Sequence, residues 1–139
     1  MREQRESLVK TSPARVAAAV LATLMIMFIV PMPVYGVFTA AGAVVLPDQG
    51  TNPNFLVSIL VIKIGFALAF VLLFRLAAPA LDGRWWSYAV TWWLLFALLE
   101  TGKAIGPGYT AVEALAGIVS EAFYCPLSAM AVARLLVRQ

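Results

Sequence analysis

The sequence predicts an all-α fold, a four-helix transmembrane bundle with short loops and both termini on the cytoplasmic side. Of the 139 residues, 63% are hydrophobic and only 12% are charged, whereas a typical soluble domain is about half apolar and about a quarter charged. A soluble domain of this size has too small an interior to bury so much apolar surface. Two further observations, apolar runs of spanning length and a one-sided distribution of Lys and Arg, predict the number and direction of the helices.

Each helix is predicted from an apolar run long enough to cross the hydrocarbon core, which takes about 17–25 residues of helix. The first run contains Pro31 and Pro33, which should kink or unwind it because proline lacks a backbone N–H. The connection after it is turn-rich, and the two later connections are short enough to make consecutive helices antiparallel neighbours. We therefore expect one integral-membrane domain over residues 1–139, with spans at about residues 16–38, 55–78, 85–105 and 109–136.

The first run has a second interpretation, a cleaved secretory signal peptide with its cleavage site at residues 39–43. The basic residues before the run and the small residues after it fit that pattern. However, the apolar stretch is longer than the roughly 7–15 residues usual in the core of a signal peptide. Its length therefore favours a retained membrane span.

The direction of the helices follows from where the basic residues lie. Cytoplasmic loops are enriched in Lys and Arg, and the first predicted loop contains neither, while the third region contains only Lys103. We therefore expect a multi-pass protein of a bacterial-type inner (plasma) membrane with both termini in the cytoplasm. The basic residues on the predicted cytoplasmic side are Arg2, Arg5, Lys10, Arg15, Arg75, Arg84, Arg134 and Arg138.

Composition excludes several kinds of chemistry. Histidine is absent and Cys125 is the single cysteine, so the chain lacks the commonest metal and haem ligand, an internal disulfide and a CxxC pair. It also has no Gly-rich phosphate loop and no nucleophile elbow. We therefore expect no metal site, no cofactor and no nucleic-acid partner, and we identify no catalytic residue.

Charged residues inside the predicted spans are the most informative feature of the sequence. At ~1.5 Å of rise per residue, Lys63 lies ~12 Å, Glu100 ~9 Å and Glu121 ~18 Å below the outer boundary of the membrane. Lys103 and Glu113 are shallower, at ~5 Å and ~6 Å. A charge deep in the bilayer is costly and tends to face a partner or a water-filled cavity. The five charges share the outer half or the centre of the membrane, which suggests one polar site.

Helical spacing places aromatic residues on the same faces as these charges, because residues three and four apart share a face. If the three faces meet, they form a pocket with the charges at its polar end and the rings toward the cytoplasm. Ordinary core packing of the rings is the alternative. The candidate ligand-binding or ion-binding residues are Lys63, Glu100, Glu113, Glu121, Trp93, Phe96, Phe66 and Phe70.

The buried charges themselves allow two interpretations. In the first, Lys63 pairs with Glu100 or Glu121 and only holds the bundle together, with a small net stabilisation because burial offsets the attraction. In the second, an acid without a partner binds a proton, a cation or a cationic ligand. Three glutamates against two lysines leave such an acid, but the sequence does not decide which glutamate Lys63 meets.

Three hypotheses of function follow. The first is a protein that binds or translocates a small cation, a proton or an apolar or cationic ligand, working as a homo-oligomer because four helices are few for a complete pathway. The second is a non-catalytic anchor, accessory or assembly subunit of a larger membrane complex. The third is a small intramembrane enzyme that modifies a lipid or isoprenoid, with a glutamate as general acid or base near aromatic rings. The sequence favours the first hypothesis narrowly and leans against an enzyme.

Overall fold

The computed structural model describes residues 12–42 and 53–137. Within these ranges 89% of the residues are helical and none is in a strand. The predicted all-α class is therefore confirmed. The turn-rich connection and the outermost residues at each end, including Arg2, Arg5, Lys10 and Arg138, lie outside the described residues.

The first predicted span is built from two helices, α1 (Pro13–Ile29) and α2 (Pro31–Ala40). The Ser12 side chain caps α1 by accepting a hydrogen bond from the backbone of Arg15, as Ser commonly does at this position. Only Val30 separates the two helices, and its backbone stays helical at φ −65° and ψ −38°. The proline pair therefore interrupts the helix at one residue without unwinding it.

The rest of the chain forms three longer helices: α3 (Pro53–Leu81), α4 (Trp85–Ile105) and α5 (Ala111–Leu136). A tight turn joins α3 to α4, and Asp82 and Gly83 adopt positive φ angles of 49° and 77° there. Asp and Gly are among the residues that tolerate this conformation best. The helices begin and end close to the predicted spans.

Three helical segments are long and apolar enough to cross a membrane: Pro13–Ala40, Leu56–Leu81 and Ala111–Leu136. Helix α4 has 21 residues, which is also a spanning length, but it contains all four tryptophans of the chain and is less hydropathic. Large apolar side chains cover the outside of the longest helix. They are Leu56, Val57, Leu60, Val61, Ile62, Ile64, Leu68, Leu72, Leu73 and Leu76.

Helix α5 lies at the centre of the molecule. It makes its most extensive contact with α4, and it also contacts α1, α2 and α3. In its most apolar stretch 50% of the residues are buried, against 17% in each of the other two membrane-compatible segments. Small residues allow this close packing, because they let helix backbones approach one another. The small residues buried along α5 are Ala114, Ala116, Gly117, Ser120, Cys125, Ser128 and Ala129.

Candidate functional site

Glu100 lies in the last turns of α4 and has a partner for each of its two carboxylate oxygens. Lys103, three residues further along the same face, donates from Nζ to Oε1 at 2.6 Å. Tyr109, in the connection between α4 and α5, donates from its hydroxyl to Oε2 at 2.5 Å. Glu100 is only 7% exposed. Its contact with Lys103 confirms that the two residues share one face of the helix, as their spacing in the sequence predicted.

A glycine on α5 makes room for the Glu100 carboxylate. A Cβ atom added at Gly117 would lie 2.9 Å from both Cδ and Oε2 of Glu100, which is closer than carbon and oxygen atoms pack. The α4–α5 contact is therefore shaped so that the carboxylate rests directly on the backbone of α5. We call Glu100, Lys103, Tyr109 and Gly117 the Glu100 cluster.

Tyr109 closes the Glu100 cluster from the α4–α5 connection. The preceding Gly108 has a φ of 83°, a conformation that favours glycine, and the turn directs the chain back over α4. Burial, followed by the hydrogen bond to Glu100, raises the pKa of the Tyr109 phenol above its usual value. The Tyr35 side chain of α2 is close enough to Tyr109 to interact with it electrostatically, which brings a third helix to the cluster.

Glu113 forms hydrogen bonds with Thr110 at the start of α5. Its carboxylate Oε2 accepts a hydrogen bond from the backbone N–H of Thr110 at 2.6 Å, and the Thr110 hydroxyl accepts one from the backbone N–H of Glu113 at 3.2 Å. This reciprocal pair is a capping box, which satisfies backbone donors that a helix N-terminus leaves free. The structure thus gives Glu113 a local structural contact and does not bring its carboxylate to Glu100.

Glu121 on α5 is also buried, at 6% exposure, but its hydrogen bonding differs from that of Glu100. Its Oε2 atom is enclosed and has no hydrogen-bond partner. The groups that act on this carboxyl are Glu100 and Lys103 from α4, Lys63 from α3 and the Tyr124 side chain three residues further along α5. Buried polar groups are nearly always hydrogen-bonded, so an enclosed carboxylate oxygen without a partner requires a specific explanation.

Lys63 on α3 is half-buried, and its ammonium group faces the ring of Tyr124. Its Nζ lies 5.3 Å from the centroid of the Tyr124 ring on α5, within the range of a cation–π contact. Among the residues that the structure describes, no carboxylate oxygen lies within 4.0 Å of Nζ. Neither direct pairing considered from the sequence, with Glu100 or with Glu121, is therefore formed; the Glu100 carboxylate is bound by Lys103 and Tyr109 instead.

The aromatic residues below the charges pack against one another. The ring of Phe66 contacts that of Phe96 at 5.1 Å between centroids, and Phe96 contacts Tyr124 at 6.0 Å. Phe70 contacts Trp92 at 5.3 Å. We call this continuous set of rings between α3, α4 and α5 the aromatic ladder. Its members are Phe66, Phe70, Phe74, Tyr88, Trp92, Phe96 and Tyr124.

Trp93 lies apart from the ring contacts of the aromatic ladder. Its indole Nε1 donates to the backbone carbonyl of Ile118 on α5 at 3.2 Å, so it links α4 to α5. Trp92 takes the place among the rings that the sequence had predicted for Trp93. Tyr88, which sequence analysis did not select, donates its hydroxyl to the carbonyl of Phe70 at 2.5 Å and thereby ties α4 to α3.

Three buried hydroxyls near the centre of the molecule also lack partners. Thr23 on α1 is fully buried, as is Ser128 on α5, and Ser120 is 2% exposed. The hydroxyl oxygens of all three have no hydrogen-bond partner. Together with Glu121 Oε2, these atoms place several polar groups without hydrogen-bond partners inside α1 and α5.

Fold and composition together define a class, an all-helical membrane protein with charged residues buried among its helices. Comparison of the chain with models of protein families, with curated proteins and with solved structures finds no match. Over residues 12–42 and 53–137 the structure contains no group of three or more Cys, Asp or Glu residues that could hold a metal ion. The chemistry of the site therefore has to be argued from the contacts of its own side chains.

Proposed function

We propose that this protein binds a proton or a small cation at the Glu121 carboxylate, within the membrane, and translocates it. The observation that carries the proposal is the enclosed Oε2 atom of Glu121, which has no hydrogen-bond partner. A carboxylate in this position is stabilised by a proton or a cation, because either one removes the cost of an unpaired buried charge. Lys63, on α3, balances the negative charge of Glu121 without forming a direct ion pair with it.

The surrounding charges support Glu121, and not Glu100, as the exchangeable group. Glu100 is neutralised by Lys103 and hydrogen-bonded by Tyr109. Lys63 has no carboxylate partner within 4.0 Å among the described residues, so its ammonium is free to adjust when the charge on Glu121 changes. The proposal therefore assigns exchange to Glu121, charge balance to Lys63 and a structural role to the Glu100 cluster.

Topology is the second part of the proposal. We propose that α4 also crosses the membrane, which gives four spans with both termini in the cytoplasm, and that the chain works as a homo-oligomer in a bacterial-type inner membrane. The basic residues beside α1, between α3 and α4, and at the end of α5 support this orientation. Trp85, Trp86 and Tyr88 in the first turn of α4 have the amphipathic character that suits a membrane interface or a core with hydrogen-bond partners.

An accessory subunit of a larger membrane complex is the second candidate function. Its supporting observation is the aromatic ladder, because rings at 5.0–6.2 Å from one another pack α3 against α4 as the core of a structural helix bundle does. In this alternative, Glu121 would be satisfied by a polar group that a partner polypeptide brings to it.

Proton flux into vesicles tests the proposed function. The full chain is reconstituted into liposomes that contain a pH-sensitive dye, and an imposed membrane potential drives protons inward. We expect flux above that of empty vesicles, lost in Glu121→Gln and retained in Asp82→Asn, a matched change of carboxylate to amide in the exposed α3–α4 turn. Wild-type flux in Glu121→Gln, or flux no higher than that of empty vesicles in the wild type, would overturn the proposal and favour the accessory subunit.

A further inference from the structure

We infer that the Glu121 site takes an organic ammonium cation with an apolar group attached, and that the Lys63 ammonium holds the place of that cation when no ligand is bound. This inference rests on the proposed function, because it names the class of ligand for the same carboxylate. It depends on three features of the structure: the Lys63 ammonium on the face of the Tyr124 ring, a buried Glu121 oxygen that accepts no hydrogen bond, and aromatic surface that continues from that ring.

The face of the Tyr124 ring is already used as a cation site. Lys63 Nζ lies 5.3 Å from its centroid, a distance at which a ring attracts an ammonium through its electron-rich face. Tyr124 lies three residues after Glu121 on α5, so the two side chains share one side of the helix. The structure therefore supplies a ring and a carboxylate together, which are the two groups that bind organic ammonium ions.

Lys63 is suited to leave this position. Its four-carbon side chain is flexible, the residue is half-buried, and no carboxylate oxygen of the described residues holds its ammonium within 4.0 Å. A ligand cation that replaces it gains the Glu121 oxygen that Lys63 leaves without a partner. The exchange keeps the charge of the site constant if Lys63 moves toward the membrane surface or releases its proton as the ligand enters.

The apolar part of the ligand follows from the neighbouring rings. Tyr124 contacts Phe96 at 6.0 Å, and Phe96 contacts Phe66 at 5.1 Å. An inorganic ion gains little from such surroundings, because Ca²⁺ and Mg²⁺ need about six oxygen ligands, and the described residues provide no cluster of three acidic or thiol groups. An ammonium with an aromatic or branched apolar group instead matches both the carboxylate and the edge of the aromatic ladder.

Binding of benzyltrimethylammonium to the full chain in lipid nanodiscs tests the inference. Equilibrium dialysis with the radiolabelled probe measures the dissociation constant, and sodium at the same concentration serves as the inorganic competitor. We expect the Lys63→Met variant to bind the probe about tenfold more tightly than the wild type, because it removes the resident cation. Lys63→Arg should restore weak binding, Glu121→Gln should abolish binding, and Asp82→Asn should leave it unchanged.

The outcomes separate this inference from the proposed function. Weaker or unchanged binding in a folded Lys63→Met variant, or displacement of the probe by equimolar sodium, overturns the inference. If proton flux still depends on Glu121 in that case, the proposed function stands and only the ligand class is wrong. If Lys63→Met does not fold, Lys63→Gln replaces it, and the same tightening is expected because the amide also removes the positive charge.

Discussion

Two buried glutamates on neighbouring helices have nearly the same exposure and opposite surroundings. Glu100 on α4 is 7% exposed and Glu121 on α5 is 6% exposed. Both oxygens of Glu100 accept short hydrogen bonds, from Lys103 and Tyr109, while Oε2 of Glu121 has no hydrogen-bond partner. Burial alone therefore does not distinguish the two carboxylates, whereas the number of hydrogen-bonded oxygens does.

The difference has a structural origin in α5. Gly117 lets the Glu100 side chain rest on the α5 backbone, where Tyr109 reaches it from the connection between the helices. Glu121 lies one helical turn further along α5, where Lys63 and Tyr124 act on its carboxyl group but Oε2 has no hydrogen-bond partner. We accordingly expect changes at Glu100 to affect stability and changes at Glu121 to affect binding and flux.

Gly117→Ala should have the largest effect on stability. The new Cβ would lie 2.9 Å from Glu100 Cδ and Oε2, so the carboxylate must shift, which strains its contacts with Lys103 and Tyr109. Overpacking of this kind costs about 2–3 kcal/mol of unfolding free energy, measured by SDS titration in mixed micelles. In the Glu100→Ala background most of that penalty should disappear, and an equal penalty there would show that Gly117 has a different role.

Glu100→Gln and Glu121→Gln should change stability in different directions. Loss of the charged hydrogen bonds at Glu100 should lower the unfolding free energy by about 2 kcal/mol, with little of this from the ion pair itself because the Lys103 side chain is 57% exposed. Glu121→Gln should leave stability unchanged or raise it by up to about 1 kcal/mol, since Oε2 of Glu121 has no hydrogen bond to lose. Equal losses in the two variants would contradict the comparison.

Tyr109→Phe isolates the hydrogen bond from the α4–α5 connection. Below about pH 10 the phenol is protonated in both the folded and the unfolded chain, and its loss should cost about 1 kcal/mol. Because the pKa of Tyr109 is raised in the folded protein, only the unfolded chain releases this proton as the pH rises above about 10, so stability falls with pH there. The wild type should lose its advantage over Tyr109→Phe as the pH rises, and a constant difference would count against the buried contact.

Glu113→Ala should have the smallest effect. It removes one half of the capping box at the start of α5, which is expected to cost about 0.5 kcal/mol of unfolding free energy. Proton flux and probe binding should stay at the wild-type level after correction for folded protein. Loss of flux in a stable Glu113→Ala variant would indicate that Glu113 belongs to the ion-binding site, as the sequence analysis predicts.

Much of the fold could be predicted because composition and run length depend on local sequence. The all-α class and the approximate helix positions follow from apolar runs and turn residues, and the i, i+3 spacing was enough to place Lys103 beside Glu100. Thr110 and Glu113 could also have been recognised, because a Thr followed three residues later by Glu before an apolar run is typical of a capping box.

The contacts between helices could not be predicted in the same way. Tyr109 could be expected from the sequence only to anchor the outer membrane surface, and its hydrogen bond to Glu100 depends on how the short connection folds back over α4. The choice of Trp92 over Trp93 in the aromatic ladder depends on a rotation of α4 by one residue, which the apolar pattern does not define because both neighbours are tryptophan. The partner of Lys63 depends on the relative rotation of α3 and α5.

Infrared difference spectroscopy of the protein in lipid, recorded as the pH is changed, tests the central claim most directly. The account predicts that one protonated-carboxyl band appears and disappears with pH in the wild type, persists in Glu100→Gln and in Asp82→Asn, and is lost in Glu121→Gln. A band that survives in Glu121→Gln, or one that disappears in Glu100→Gln alone, would contradict the assignment of the exchangeable site to Glu121.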